Sequence, residues 1–189
     1  FAVHGGTANV YGGTFNKDSQ GSGAFVTGVS GQVAVANIYG GTFEVSGQAG
    51  FSIYEYATVL FSPKGGENGS GSEISVKGDA AGLTIETNDT EGVSVTINGG
   101  KFESIRNSNG DGIWCGDDRT TLTITGGEFI GSSRSGLRLD RNGSATLNVK
   151  LSGGTFVRGI STNNYVTSNL LESGYEYSYY GNTTEVVPI

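Results

Sequence analysis

The stretch Ala8-Asn-Val-Tyr-Gly-Gly-Thr-Phe15 returns almost unchanged at Ala36-Asn-Ile-Tyr-Gly-Gly-Thr-Phe43, and this repetition decides the fold. Three further copies of the signature are Val95-Thr-Ile-Asn-Gly-Gly-Lys-Phe102, Leu122-Thr-Ile-Thr-Gly-Gly-Glu-Phe129 and Val149-Lys-Leu-Ser-Gly-Gly-Thr-Phe156. The first glycines of the five copies stand at positions 12, 40, 99, 126 and 153, so the intervals are 28, 59, 27 and 27 residues. A fixed period of this length indicates a repeat architecture.

The interval of 59 residues is close to two periods, so one copy between residues 50 and 82 has lost its signature. We assign this copy to Glu73-Ile-Ser-Val-Lys-Gly78. An insertion over residues 61–71 precedes it, and the glycine and serine content of this insertion is typical of a surface loop.

Each copy carries the alternating pattern of a strand with one buried face. The residues four and two positions before the first glycine are apolar, as Val95 and Ile97 are, and the residue between them is polar. A second alternating segment stands 17 residues before the glycine pair, as Gly82-Leu-Thr-Ile85 stands before Gly99, which leaves no room for a long helix. One unit cannot bury its apolar face alone. Copies stacked about 4.8 Å apart can do so, because every strand then pairs in parallel with the next.

These patterns predict an all-β fold: a right-handed parallel β-helix, or single-stranded β-solenoid, of about six coils of ~27 residues each. We expect the glycine pair to turn a corner in a backbone conformation that is closed to other residues. One phenylalanine per copy then joins an internal aromatic stack. The members of this stack are Phe15, Phe43, Phe102, Phe129 and Phe156.

The two ends of the chain carry different signals. Residues 1–164 hold the predicted coils, and the N-terminal coil is incomplete, as expected for a fragment of a longer chain. Residues 165–189 are predicted to cap the last coil, because a β-helix must cover its strand edges. Within this cap Asn169-Leu-Leu-Glu-Ser-Gly174 is typical of a short helical turn, and alternating tyrosines run into the hairpin signal Gly181-Asn182.

Composition narrows the classes of function. Of the 189 residues, 34 are glycine and only 35% are hydrophobic, which is typical of a thin, turn-rich solenoid. The formal net charge of −7 argues against nucleic acid as a partner. No apolar run approaches the roughly 18 residues of a membrane span, so we expect no membrane insertion. Cys115 is the single cysteine, and we predict that it is a buried small hydrophobe.

The repeated Gly-Gly-Thr-Phe signature, followed by Leu170-Leu-Glu-Ser-Gly-Tyr-Glu-Tyr177 and a closing Gly-Asn turn, resembles a known group of proteins. This group comprises the right-handed β-helix regions of large secreted or cell-surface proteins of gut Firmicutes, which are often described as adhesin-like or carbohydrate-binding. The resemblance implies an extracellular location at a bacterial cell surface, and it carries over no catalytic residue.

Two sets of aromatic residues are candidate glycan-binding sites. Alternation places Trp114 outward on its strand, with Arg138 in the same row one coil later. The indole can stack on a sugar ring while the guanidinium holds a hydroxyl or a carboxylate. The same pair can also form an internal cation–π contact without a ligand. Tyr11 and Tyr39 form a second outward ladder, which can stack on sugar or shield the strand backbone.

Clustered acidic residues raise an alternative, a polysaccharide-degrading enzyme of the pectate-lyase or glycoside-hydrolase kind. It would use Asp111, Asp117 and Asp118, since glycoside hydrolysis needs two carboxylates about 5–9 Å apart. The pattern departs from that of the polygalacturonase type of β-helix hydrolase, because the acids are spaced differently and His4 is the only histidine. Coil alignment also places Asp117 beside Arg141, which predicts an ion pair.

A second alternative is a calcium site, since acidic turns that stack on one another would cluster oxygen ligands, although no calcium-loop spacing is present. Its ligands would be Asp89, Asp117, Asp118 and Asp140. No other cofactor is expected. The sequence thus favours an extracellular surface module, a structural stalk or an adhesin, whose expected partner is a glycan or another host-surface ligand bound chiefly through Trp114 and Arg138.

Overall fold

The computed structural model describes residues 1–17, 21–63, 73–86, 92–106, 109–116, 119–140, 147–162 and 167–189. This part of the chain is built from short strands and one 3-10 turn at Thr167–Leu170, and none of its helices is long and apolar enough to cross a bilayer. In chain order the strands are β1 (Ala2–His4), β2 (Gly6–Val10), β3 (Thr14–Lys17), β4 (Ala24–Thr27), β5 (Ala34–Ile38), β6 (Gly41–Val45), β7 (Ala49–Ile53), β8 (Ala57–Phe61), β9 (Ile74–Gly78), β10 (Ala81–Ile85), β11 (Val93–Ile97), β12 (Lys101–Ser104), β13 (Asp111–Cys115), β14 (Thr120–Ile124), β15 (Glu128–Ile130), β16 (Leu137–Leu139), β17 (Asn148–Leu151), β18 (Thr155–Val157), β19 (Ile160–Thr162), β20 (Tyr175–Tyr180) and β21 (Thr183–Pro188).

Every third strand up to β19 belongs to the same sheet, so the chain coils through three parallel sheets. The first sheet runs from β1 through β4 to β19, the second from β2 through β5 to β17, and the third from β3 through β6 to β18. Stacked positions lie 27 or 28 residues apart where the signature is intact, as Val95 beside Leu122 and Ala8 beside Ala36 demonstrate. The predicted parallel β-helix is therefore confirmed, with about five turns. Its right-handed coiling stays a prediction from the crossover preference.

The copy that lost its signature, called the divided copy below, has a long segment between its strand in the second sheet and its strand in the third. β8 pairs with β5 and β11 in the second sheet, whereas β9 pairs with β6 and β12 in the third. The assignment of this copy to residues 73–78 therefore found only its second half. Phe61 is the buried last residue of β8, so the insertion predicted at about residues 61–71 follows this strand. Residues 64–71 of the predicted insertion lie outside the described residues.

The glycine pairs turn the corner between the second and third sheets. The second glycine of each pair has a φ angle between 108° and 124°, a region that residues with a Cβ rarely adopt. This confirms, for the second glycine, the prediction that the pair turns a corner in a backbone conformation that is closed to other residues. The five residues are Gly13, Gly41, Gly100, Gly127 and Gly154.

Stacked phenylalanines run through the core inside the third sheet. Phe15 and Phe43 lie with their ring centroids 4.8 Å apart, Phe102 and Phe129 lie 5.5 Å apart, and Phe129 and Phe156 lie 4.9 Å apart. The rings of each pair are nearly parallel, and all except that of Phe15 are fully buried. The predicted column is confirmed on both sides of the divided copy.

In the divided copy, Val76 takes the column position between Phe43 and Phe102. Phe51 from the first sheet and Phe61 from the second sheet fill the space that the smaller side chain leaves. Their rings join an unbroken chain of contacts, from Phe43 to Phe51 at 5.3 Å, to Phe61 at 5.1 Å and to Phe102 at 5.1 Å. The aromatic core is therefore continuous even where the repeat is not.

A column of glycines in the first sheet allows close contact with the third sheet. A Cβ on Gly82 of β10 would lie 2.6 Å from the backbone nitrogen of Glu103 on β12, and one on Gly50 would lie 2.6 Å from the carbonyl oxygen of Lys77. Neither glycine has a positive φ, so these positions need glycine for space and not for backbone conformation. The backbones of the two sheets are therefore in close contact at these positions.

A C-terminal hairpin covers the end of the third sheet. β21 pairs antiparallel with β18, and β20 pairs antiparallel with β21 across the turn at Gly181. Tyr175 and Tyr177 pack on the core, and burial, followed by the neighbouring Tyr179, raises the pKa of Tyr177 to about 12. The predicted helical turn is present as the 3-10 turn at Thr167–Leu170, slightly earlier in the chain than expected.

Candidate functional site

One outward column of the first sheet places two small side chains between two aromatic ones. The strand register puts Phe25 beside Ser52, Ser52 beside Thr84 and Thr84 beside Trp114, and Arg138 follows Trp114. Three coil steps separate the two aromatic residues, a distance of about 14 Å. The difference in side-chain size leaves a depression between Phe25 and Trp114, which we call the outer groove.

The outer groove has two adjoining parts. The part beside Trp114 has a volume of about 410 Å³ and is bounded by Tyr54 and Glu86 as well as by the indole. The part beside Phe25 has a volume of about 310 Å³ and is lined by Lys17 among others. Tyr54 lines both parts, so they form one elongated surface along the rod.

Paired hydroxyl groups form the floor of the outer groove. Ser52 and Thr84 are 2% and 6% exposed although they point outward, because larger side chains rise around them. The Thr84 Oγ1 hydroxyl donates to Ser52 Oγ at 2.8 Å, and Ser52 Oγ lies 2.5 Å from Ser22 Oγ. These cross-coil hydrogen bonds hold the floor in one arrangement and leave it polar.

Glu86 brings a carboxyl group into the outer groove. It follows β10 directly, and its backbone N–H donates to the carbonyl of Ile53 one coil earlier. Burial raises the pKa of Glu86 above its ordinary value, and the nearby Glu55 carboxylate raises it further. Among the described residues no lysine or arginine forms an ion pair with Glu86. Within the described ranges, the larger part of the groove therefore carries an acid that no basic side chain pairs with.

The indole of Trp114 is held by its neighbours in the next coil and in its own strand. Trp114 Nε1 donates to Asp140 Oδ2 at 2.9 Å. Gly116 leaves room for the ring, since a Cβ there would lie 3.0 Å from an indole carbon. Cys115, between them in sequence, is fully buried as predicted, which agrees with Trp114 pointing outward. The ring is thus fixed at the end of the groove.

Arg138 lies beyond Trp114 and contacts two carboxylates. Its Nη2 lies 2.6 Å from Asp140 Oδ2, and its Nη1 lies 3.7 Å from Asp111 Oδ2. Asp111 also accepts a hydrogen bond from the backbone N–H of Ser135 at 3.0 Å. Burial raises the pKa of Asp111 nevertheless, although this hydrogen bond and Arg138 act to lower it. The guanidinium is therefore engaged within the protein, and it does not line the outer groove.

The acids considered for catalysis or calcium binding are only partly described. Those outside the described residues are Asp89, Asp117 and Asp118, together with the expected ion-pair partner Arg141. Asp111 and Asp140 are described, and both contact the same arginine, Arg138. Within the described ranges no three histidine, cysteine, aspartate or glutamate side chains are grouped so that they could hold a metal ion.

The second predicted aromatic set is separate from the outer groove. Tyr11 and Tyr39 follow β2 and β5 of the second sheet, and their rings stack with centroids 5.2 Å apart. Tyr11 is 65% exposed, as expected of an outward ladder. The ladder ends after two rings, because the next residue along this edge is Ser62. The four predicted binding residues thus belong to two different faces.

Sequence reasoning missed most of the outer groove. Phe25, Tyr54 and Glu86 belong to it and were not among the candidates. Gly82-Leu-Thr-Ile85 was recognised as a strand, and aligning it with the Trp114 strand would have placed Thr84 next to the indole. Aligning the earlier strands of the first sheet in the same way would have placed Phe25 in this column. The repeated signature, however, covers only the strands of the second and third sheets and gives no register for the first.

Comparison with known protein families, with curated proteins and with solved structures finds no match to this chain.

Proposed function

We propose that this β-solenoid is a carbohydrate-binding module and that the outer groove is its binding site. The observation that carries the proposal is the aromatic pair Phe25 and Trp114 at the two ends of a groove with a polar floor. Sugar rings offer apolar faces that stack on aromatic side chains, while their hydroxyls need hydrogen-bond partners between those rings. Thr84 lines this floor with a hydroxyl whose hydrogen is used by Ser52 and whose oxygen can still accept a hydrogen bond from a sugar hydroxyl.

The dimensions favour a linear chain over a branched one. The groove runs parallel to the rod and spans about 14 Å between its aromatic ends, which is the length of a few sugar units. Tyr54 lies between the two ends and lines both parts. A glycan lying along the rod would therefore meet an aromatic residue at each end and a third one beside it.

We also propose that the module acts outside the cell, as a stalk or adhesin segment at a bacterial surface. This proposal rests on the resemblance of the repeats to secreted β-helix proteins, and the rod-like stacking of coils is compatible with a spacer role. A glycan bound along the first sheet would leave the other two sheets of the rod available for contacts within a stalk.

The test is a glycan panel of immobilised linear oligosaccharides, probed with the wild-type protein and with Trp114→Ala. We expect binding by the wild type and at least about tenfold weaker binding by the variant, because a stacking surface is lost. Tyr54→Ala provides a second variant, since the half-buried Tyr54 ring lines both parts of the groove and does not belong to the hydrophobic core. Circular dichroism checks that both variants keep the wild-type fold.

Tyr11→Ala is the matched control, since it removes an exposed aromatic ring from the second sheet. It should leave the binding profile unchanged. Absence of binding by the wild type to every oligosaccharide would overturn the proposed function. Loss of binding in Tyr11→Ala but not in Trp114→Ala would overturn the assignment to the outer groove.

A further inference from the structure

The outer groove is electrically asymmetric along the rod. Lys17 is the basic residue that lines the part beside Phe25, whereas Glu86 is the acidic residue that lines the part beside Trp114. The other polar side chains of the larger part are uncharged. A ligand with a charged substituent would therefore bind with that substituent at one end of the groove.

The acidic end favours a cation from the ligand. The Glu86 carboxyl group is half-buried, lies near the Glu55 carboxylate and forms no ion pair with a described basic side chain. Arg138, the arginine nearest in the column, is engaged by Asp111 and Asp140. An ammonium group on a ligand would provide the opposing charge that the described side chains of this part do not supply, and a charge-assisted hydrogen bond is stronger than a neutral one.

We infer that the outer groove prefers amine-bearing glycans of the glucosamine type, with the ligand ammonium beside Glu86 and a sugar ring on Trp114; this inference rests on the proposed function. Glu86 lies in the coil next to that of Trp114, and one coil step of about 4.8 Å is comparable with the length of one pyranose unit. Glu86 thereby acts as the specificity-determining residue of the groove.

The same arrangement disfavours acidic glycans. A uronate carboxylate at the Trp114 end would face Glu86, and no basic side chain is among the described residues that line this part. The net charge of −7 also repels polyanions from the whole molecule. A neutral N-acetylated sugar carries neither the ammonium that Glu86 would attract nor the carboxylate that Glu86 would repel. The expected order of affinity is glucosamine oligomer, then N-acetylglucosamine oligomer, then galacturonate oligomer.

Three tetrasaccharides of equal length, one of each kind, test this order by titration calorimetry at about pH 6. Wild-type protein should bind the glucosamine tetramer about tenfold more tightly than the N-acetylated one, as a charge-assisted contact implies. Glu86→Gln should abolish that preference while changing the affinity for the N-acetylated tetramer by less than about twofold. Glu176→Gln, at an exposed position of β20, makes the same change in net charge outside the groove and should leave all affinities unchanged.

The outcomes separate the two proposals. If the wild type binds none of the three tetramers and no member of the wider panel, the proposed function fails. If glycans bind but the galacturonate or N-acetylated tetramer binds as tightly as the glucosamine tetramer, the inference is overturned and the function stands. An amine preference that survives in Glu86→Gln, or that is lost equally in Glu176→Gln, also overturns the inference.

Discussion

Glu86 has surroundings that favour its uncharged form. Burial raises its pKa, and the Glu55 carboxylate raises it further. A carboxyl group with a higher pKa in the folded chain than in the unfolded chain contributes stability that is fully present below the unfolded pKa. That contribution is lost as the pH rises through the folded pKa. The ionised carboxylate of Glu86 at neutral pH is therefore unfavourable for folding.

Glu86→Gln should accordingly raise the melting temperature at about pH 7 by about 1–3 °C, and the gain should vanish below about pH 4, where the wild-type carboxyl is protonated. Thermal unfolding followed by circular dichroism at both pH values measures the effect. Glu176→Gln, exposed on β20, is the control and should not change the melting temperature at either pH. An equal gain at both pH values would contradict an ionisation effect at Glu86.

At the scale of single residues, alternation along the strand was sufficient to predict that Trp114 points outward and that Arg138 stands one coil later. It could not predict what Arg138 contacts. Asp111 stands at the start of β13 and Asp140 directly follows β16, so both carboxylates reach the guanidinium from positions outside the outward row. Such contacts depend on how the chain turns at the strand ends, which the repeat does not encode.

Among the elements, the contact between the first and third sheets depends on glycine. A Cβ on Gly82 would lie 2.6 Å from the backbone nitrogen of Glu103 and 2.8 Å from the carbonyl oxygen of Gly112. Both obstacles are backbone atoms that hydrogen-bonded strands hold in place. Gly82→Ala should therefore lower the free energy of unfolding by about 1–3 kcal/mol, as overpacking does in a dense core.

Urea denaturation of Gly82→Ala and Gly12→Ala provides the measurement with a matched control. Gly12 is also a repeat glycine, but its φ is not positive and no atom lies within 4 Å of the position that a Cβ would take. Its replacement should change stability by less than about 0.5 kcal/mol. Similar losses in the two variants would mean that the close contact between the sheets is not the cause.

The elements were predictable wherever the signature is intact, because glycine pairs and phenylalanines recur with the period of the coil. The divided copy was only half predictable. Its first strand, Ala57–Phe61, lacks the glycine pair, and its second strand carries Val76 in the phenylalanine column. Phe51 and Phe61 restore the aromatic volume from the other two sheets, which a search for equal residues at equal positions cannot detect.

The whole molecule is a stack in which every internal coil pairs with a coil on both sides. Its tendency to associate with other molecules through strand edges therefore depends on its two ends. β3 is the end strand of the third sheet at one end of the rod, whereas at the other end the sheet continues through β18 into the antiparallel hairpin β21 and β20. A parallel coil edge without a cover is a template for another coil of the same shape. The hairpin replaces that edge with an antiparallel one, which a following parallel coil does not match.

Removal of residues 175–189 should therefore turn the rod into a unit that stacks head to tail. The bared edge of Thr155–Val157 has the same parallel geometry as the internal edges, and Phe156, now fully buried, would lose cover. Because such a contact joins two different surfaces, it does not close and would grow into fibres. Size-exclusion chromatography and thioflavin fluorescence should report concentration-dependent assembly, whereas the full chain with Tyr179→Ser and Tyr180→Ser keeps the hairpin backbone and should elute as the wild type does. A truncated chain that stays folded and elutes at the wild-type position would refute the view that the hairpin blocks coil addition.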